Sequence, residues 1–150
     1  MNPPKIHIKS ISALETHAVR HPVLRPGLPR KTCIFDGDES ESTLHLGAFC
    51  EKKMIGVLTL IFNPEYASAQ VPNVQLRGMG VLRTERGQGI GAALVQAAEK
   101  QVRQQKIGLI WMNARLIAVP FYQKMGYSVN GAEFDIPVAG PHHYMTKYIS

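Results

Sequence analysis

Val81-Leu82-Arg83-Thr84-Glu85-Arg86-Gly87-Gln88-Gly89-Ile90-Gly91-Ala92 carries the chain from an extended apolar stretch into an amphipathic one. Glycines at such a junction remove side chains and let main-chain N–H groups approach a ligand. The first turn of a helix adds unpaired N–H donors and a partial positive charge. Together these favour a phosphate group, and Arg83 and Arg86 add cations at the same place. A Walker A loop needs Gly-Lys-Ser/Thr, which is missing here. Gly87-x-Gly89-x-x-Ala92 fits a dinucleotide fingerprint formally. That fold requires an acidic residue about 20 positions on, and neither Asp nor Glu occurs between Glu99 and Glu133.

Outward from this turn, residues 89–105 predict a helix with Ile90, Leu94, Ala97, Ala98 and Val102 on one apolar face. Gln96, Glu99, Lys100 and Arg103 are expected to face water, with Glu99 and Arg103 as an i,i+4 pair. Upstream, residues 74–82 predict a strand weakened by Gly78 and Gly80, which mark either a bulge or close packing under a helix. Residues 43–51 and 54–63 predict a hairpin joined at Lys52-Lys53, and Ile6 and Ile8 alternate as a short strand. Residues 12–24 predict a helix, with Ser12 and Glu15 at capping-box spacing. Downstream, residues 107–112 predict a buried strand and residues 115–125 a helix stopping at Gly126. Pro120 requires that helix to begin late enough to place it in the first turn. Short strands are expected at residues 127–129 and 144–149. Pro, Gly and acidic residues mark residues 20–43 as irregular, and residues 64–73 as a second loop.

With 150 residues the chain is expected to form one domain over residues 1–150. Seventeen Lys and Arg against eleven Asp and Glu give a charge of +6, which suggests anionic partners without naming one. Basic residues are scattered with no aromatic-interleaved stripe, so no nucleic acid is expected. Residues 1–10 lack the apolar core of a signal peptide. The longest apolar run, residues 54–62, is far below the ~20 residues that span a bilayer. Two cysteines, Cys33 and Cys50, fill no four-ligand zinc site, and the six histidines show no metal spacing. These features predict a cytoplasmic protein with reduced thiols, no metal and no membrane.

Arg86-x-x-Gly89-x-Gly91 resembles the R/Q-x-x-G-x-G/A turn of the GNAT-type N-acetyltransferases. The strand Gln75-Leu76-Arg77-Gly78-Met79-Gly80-Val81 precedes it at that family's spacing. Asn113-Ala114-Arg115, Ala118 and Phe121-Tyr122-Gln123-Lys124-Met125-Gly126-Tyr127 are similar to its later signature. The resemblance is strongest over residues 75–127. It implies an α/β (α+β) fold whose mixed, mostly antiparallel central sheet splays between the fourth and fifth strands, flanked by about four helices. It also implies acetyl-CoA as co-substrate and direct transfer to a primary amine of a small molecule or peptide. The alternative is a non-catalytic acyl-CoA-binding regulatory domain. A homodimer is compatible with either.

The same resemblance assigns coenzyme contacts to Val81, Leu82, Arg83, Arg86, Gly87, Gln88, Gly89, Ile90, Gly91, Ala92, Asn113 and Tyr122. Val81 and Arg83 would bind the thioester carbonyl through main-chain N–H groups. Tyr122 becomes the general acid, and Asn113 either caps the following helix or touches the pantetheine arm. The strand before the turn offers Gln75, Arg77 and Met79 but no carboxylate, so the general base is sought elsewhere. His142 is the leading candidate, ahead of His143, Glu133 and Asp135. Arg77 is expected either to hold a substrate carboxylate or to pair with the acidic loop at residues 36–41. Arg25, with Arg20 and His21, would line the acceptor side.

Overall fold

The computed structural model describes residues 5–62 and 71–150. In chain order the elements are β1 (Ile6–Ile11), α1 (His17–Leu24), β2 (Leu44–Cys50), β3 (Lys53–Phe62), β4 (Asn73–Val81), α2 (Ile90–Gln104), β5 (Leu109–Arg115), α3 (Val119–Lys124), β6 (Ser128–Val129), β7 (Phe134–Ile136) and β8 (Gly140–Tyr148). The strands form one eight-stranded sheet ordered β1-β2-β3-β4-β5-β8-β6, with β7 on β8. Every pairing is antiparallel except β4 with β5. That parallel pairing covers only Asn73–Gln75 against Leu109–Trp111, and beyond it the two strands part. The sheet therefore splays between its fourth and fifth strands, as expected.

Two layers cover the sheet. On one face Ile90, Leu94, Val95, Ala98 and Val102 of α2 pack with Leu58, Leu60, Leu76, Ile110, Met112 and Met145 into the main core. On the other, Val19 of α1 joins Ile11 and Val57, flanked by Val23. No helix among the described residues is long and apolar enough to cross a membrane.

Local chemistry explains most boundaries. Ser12 and Glu15 exchange the two capping-box bonds, at 2.9 and 3.1 Å. A 3-10 turn at Leu14–Thr16 then leads into α1. The later helix is shorter than residues 115–125: a 3-10 turn at Leu116–Ala118 comes first, and Pro120 falls in the first turn of α3. The described residues hold three α-helices and four single-turn 3-10 segments. The hairpin turn is Glu51-Lys52 rather than Lys52-Lys53, with Glu51 left-handed at φ 57°. Residues 64–70 of the expected second loop lie outside the described residues.

Two sequence expectations are corrected. Glu99 does not face water: it is 5% exposed, accepts from the Tyr127 hydroxyl at 2.9 Å and pairs with Lys147 at 3.0 Å. The β8 and β6 end of the sheet covers that flank of α2, which helical periodicity does not reveal. The strand expected at residues 144–149 begins at Gly140 and forms a hairpin with β7, an element the sequence reading lacked.

Candidate functional site

The parting of β4 and β5 opens a cleft of about 890 Å³ through the sheet. Its local cause is a bulge: Thr59 faces Arg77 but Val57 faces Gly80, so Gly78 and Met79 together oppose Leu58. Gly78 takes φ 61°, the left-handed conformation of a glycine bulge. Gly80 serves the other purpose, because a Cβ there would meet Val23 of α1 at 3.1 Å. Each of the two readings of this glycine pair is thus met by a different residue.

At the open end of β4 lies the glycine turn. Gly87 and Gly89 are left-handed at φ 81° and 79°, and a Cβ on either would meet nothing within 4 Å. Gly91 is different: a Cβ there would lie 3.2 Å from Phe121 of α3, so this position sets helix packing. No side chain caps α2, and its first turn holds no acidic residue. The helix hydrogen bonds begin with Ala93 N–H to Gly89 at 3.0 Å. The N–H groups of Ile90, Gly91 and Ala92 have no partner among the described residues. They open onto the cleft beside Arg83 and Arg86. This donor set fits a diphosphate in number, charge and access. Leu82 and Gln88 do not line the cleft: Leu82 donates its N–H to Ile55 at 2.8 Å and joins the core, and Gln88 is exposed. Strand alternation turns the neighbouring Val81 N–H away from β3, towards the parted β5.

Tyr122 is held from behind. Tyr127 N–H bonds the Tyr122 carbonyl at 3.0 Å, and Gly126 N–H bonds Gln123 at 3.0 Å, with Gly126 at φ 96°. These are the paired bonds of a Schellman motif, completed by ring contact of Tyr122 with Tyr127 at 5.8 Å. Its hydroxyl reaches the Met79 sulfur at 3.7 Å and lines the cleft. Burial pushes that hydroxyl well above the ordinary tyrosine range, so it stays protonated.

The α1 side of the cleft is cationic. Arg77 on β4, Arg115 on β5 and Arg25 after α1 all line it, with Phe35, Asn113 and His142. Arg115 and His142 are direct partners across β5 and β8. His142 is 4% exposed, and its Nδ1 donates to the Gly140 carbonyl at 2.7 Å. That leaves Nε2 as the acceptor nitrogen of the neutral ring. Burial lowers its pKa, against the opposing Gly140 bond. Asn113 caps no helix, since it sits in β5 opposite Tyr144 and α3 starts at Val119. Arg20 and His21 are not free to receive a substrate. Arg20 is fully buried on Asp38 at 2.6 Å, and His21 bonds the Leu28 carbonyl at 2.6 Å. Arg77 touches the acidic loop only through the Asp36 carbonyl, at 3.4 Å. His143 does not line the cleft, nor do Glu133 and Asp135. No group of three metal-ligating side chains occurs among the described residues. Phe35 and Ile136 are cleft residues that sequence reasoning missed, each arriving from a distant segment with no motif of its own; Arg115 lay within the later signature but had no site role assigned to it.

Comparison with known proteins agrees with this geometry. The family model described as "Acetyltransferase (GNAT) family" matches residues 9–127. The uncharacterized N-acetyltransferase YitI of Bacillus subtilis (strain 168) is 31% identical over 142 residues, covering 95% of each chain. Among solved structures, an aminoglycoside 6'-N-acetyltransferase complexed with coenzyme A superposes with a TM-score of 0.76, at 16% identity over 96% of this chain and 97% of that one. Escherichia coli ElaA superposes with a TM-score of 0.75, at 15% identity over 95% of this chain and 99% of that one. The splayed sheet, the glycine turn and these matches agree: this chain belongs to the GNAT acetyltransferase family.

Proposed function

We propose that the chain is an acetyl-CoA-dependent N-acetyltransferase acting on a primary amine by direct transfer. The observation that carries this reading is the uncapped, glycine-lined start of α2 opening onto the same cleft as Tyr122. One family neighbour holds coenzyme A, which supports the donor. When bound, acetyl-CoA supplies an activated thioester.

The chain's own groups then divide the work. The N–H groups of Ile90, Gly91 and Ala92, with Arg83 and Arg86, hold the diphosphate. The Val81 N–H donates a hydrogen bond to the thioester carbonyl oxygen as negative charge builds on it. His142 Nε2 takes a proton from the acceptor amine, the C–N bond forms, and the C–S bond breaks. The Tyr122 hydroxyl gives its proton to the departing sulfur. The burial that raises the phenol also disfavours a bare thiolate beside it, which favours passing the proton to the sulfur. Unpaired Cys33 and Cys50 support a cytoplasmic location. The continuous sheet from Ile6 to Tyr148 supports one domain over residues 1–150.

The test is thermal stabilisation by acetyl-CoA, followed by thiol release with a panel of amines. Stabilisation by acetyl-CoA but not NAD is expected. Tyr122→Phe is expected to lower turnover by about 10²-fold or more with coenzyme binding kept. The absence of a carboxylate on β4 favours a second reading, a coenzyme-binding domain without catalysis. Stabilisation by acetyl-CoA without turnover of any amine would select it.

A further inference from the structure

The α1 side of the cleft gathers more cation than the protein itself answers. Arg25, Arg77 and Arg115 line it together, and none has a carboxylate within salt-bridge distance among the described residues. Each guanidinium has five donors, and each here uses one, on a main-chain carbonyl. Arg25 and Arg115 share the carbonyl of Leu24, at 3.0 and 2.8 Å, which brings the two like charges together. Arg77 reaches the Asp36 carbonyl at 3.4 Å. None of the remaining donors is sealed in the interior without a partner, and all three side chains line the cleft.

The cluster is also held in place. Phe35 forms its floor: the guanidinium carbons of Arg25 and Arg77 lie 5.2 and 4.9 Å from its ring centre. Arg20, neutralised by Asp38, stacks on the same ring at 4.1 Å. Burial lowers the pKa of all three cleft arginines, with Arg25 adding repulsion on Arg77 and Arg115. The Leu24 carbonyl, at the C-terminal end of α1, offsets a fraction of this charge. The Asp36 and Asp38 carboxylates act on Arg77 at longer range. Glu85 is the one carboxylate lining the cleft among the described residues, and it sits in the turn before α2 rather than on the α1 side.

We infer that Arg25 and Arg77 over Phe35, with Arg115 beside them on the Leu24 carbonyl, form an oxyanion pocket, and that the acceptor is an amine carrying a carboxylate or phosphoryl group. The anion anchors there, and the amine is presented towards His142, the cross-strand partner of Arg115. A polycation is repelled from the same surface. This inference rests on the acetyltransferase reading above.

The test compares matched amines on the full chain with acetyl-CoA. L-aspartate is set against L-aspartic diamide, and phosphoethanolamine against ethanolamine. The expected result is a kcat/KM about tenfold or more higher for the anionic member of at least one pair. The pair that responds identifies carboxylate or phosphoryl. Arg25→Gln, Arg77→Gln and Arg115→Gln should shrink that ratio mainly through KM. Equal rates within both pairs, or preference for a polyamine, would overturn the inference and leave the enzyme assignment standing. So would a ratio unmoved in all three variants that still bind acetyl-CoA. If acetyl-CoA neither stabilises the protein nor reacts, the enzyme reading fails. The anion pocket is then read alone, by thermal stabilisation with glutarate or inorganic phosphate. Stabilisation lost in the Arg→Gln variants keeps the pocket; no stabilisation removes it. The wild-type comparisons stand even where a variant fails to fold.

Discussion

Asp38→Ala is expected to be among the most destabilising single changes outside the apolar core. Arg20 has no exposed surface, and its charge is met by Asp38 at 2.6 and 3.1 Å, by the Cys33 carbonyl at 2.8 Å and by Thr59 at 2.9 Å. Asp38 also accepts from the Phe35 N–H at 2.9 Å. Deleting the carboxylate leaves a buried guanidinium with no counter-ion and an orphaned N–H. Breaking one side of such a pair costs about 3–5 kcal/mol. In a chain of this length each kcal/mol moves the midpoint by about 2–4 °C, so Tm should fall by about 6–20 °C. Scanning calorimetry or urea unfolding near neutral pH, without ligand, reads this directly. The logic also fixes the double variant. Arg20→Met with Asp38→Leu removes both charges and should recover most of the loss, because a buried pair is worth little against a good apolar replacement. A single Asp38→Ala that loses less than about 1 kcal/mol, or a double variant no better than the single ones combined, would refute the reasoning.

His142→Gln should lower turnover by about 10²-fold and remove the acid limb of the kcat/KM profile. That limb should lie below the ordinary histidine value of about 6.5, because burial holds His142 down; an unchanged limb excludes His142 as base. Burial likewise lowers His17. As pH falls through about 6.5 the unfolded chain takes up protons first. Stability should therefore be intact above that value and decline below it, by up to about 1.4 kcal/mol per pH unit for each histidine. A midpoint that rises on going from about pH 7.5 to 5.5 contradicts this sign. Gly89→Ala should cost about 1 kcal/mol and weaken acetyl-CoA binding, since φ 79° is strained for alanine and the turn faces the cleft. Gly91→Ala should keep coenzyme binding and cost less than Gly89→Ala, because Phe121 at 3.2 Å need move only slightly. Equal loss of binding in both would show that the turn does not hold the diphosphate as described.

The parts of this molecule that were legible in its sequence are those written locally. The capping box of Ser12 and Glu15, the glycine spacing before α2, and Pro120 with Gly126 around α3 are each decided within a few residues. The α2 face was legible except at Val95, which is also fully buried, and at Glu99. Burial of Glu99 depends on Tyr127 and Lys147, brought in from the far end of the chain. The glycine-turn side of the cleft was readable as a contiguous motif. The α1 side was readable at Arg25, Arg77 and His142. Arg115 joins Arg25 through the Leu24 carbonyl, across 91 positions of sequence. Phe35 lies in an irregular segment with no period to announce it.

The two sides of the cleft have a single structural origin in Gly78. Up to Arg77, β4 alternates regularly: Val74 and Leu76 enter the main core, while Gln75 and Arg77 take the α1 face. Without an extra residue Met79 would follow Arg77 onto that face. The bulge shifts the register by one and reverses every side chain after it. Met79 is thereby delivered to Tyr122 and Gly91 on the α2 side, and Gly80 passes beneath Val23 of α1. The same kink lies three residues beyond the last β4–β5 pair, Gln75 with Trp111, in the stretch where β4 runs apart from β5. Only a residue without a side chain fits there. Its φ of 61° is left-handed, and a Cβ would come within 3.1 Å of the Arg20 Nε and 3.2 Å of the Phe35 ring. The buried Arg20–Asp38 pair and the Phe35 floor are thus packed directly against the bulge. The bulge is what lets one strand present the Arg77 guanidinium to one face and, two residues on, the Met79 sulfur to the Tyr122 hydroxyl on the other.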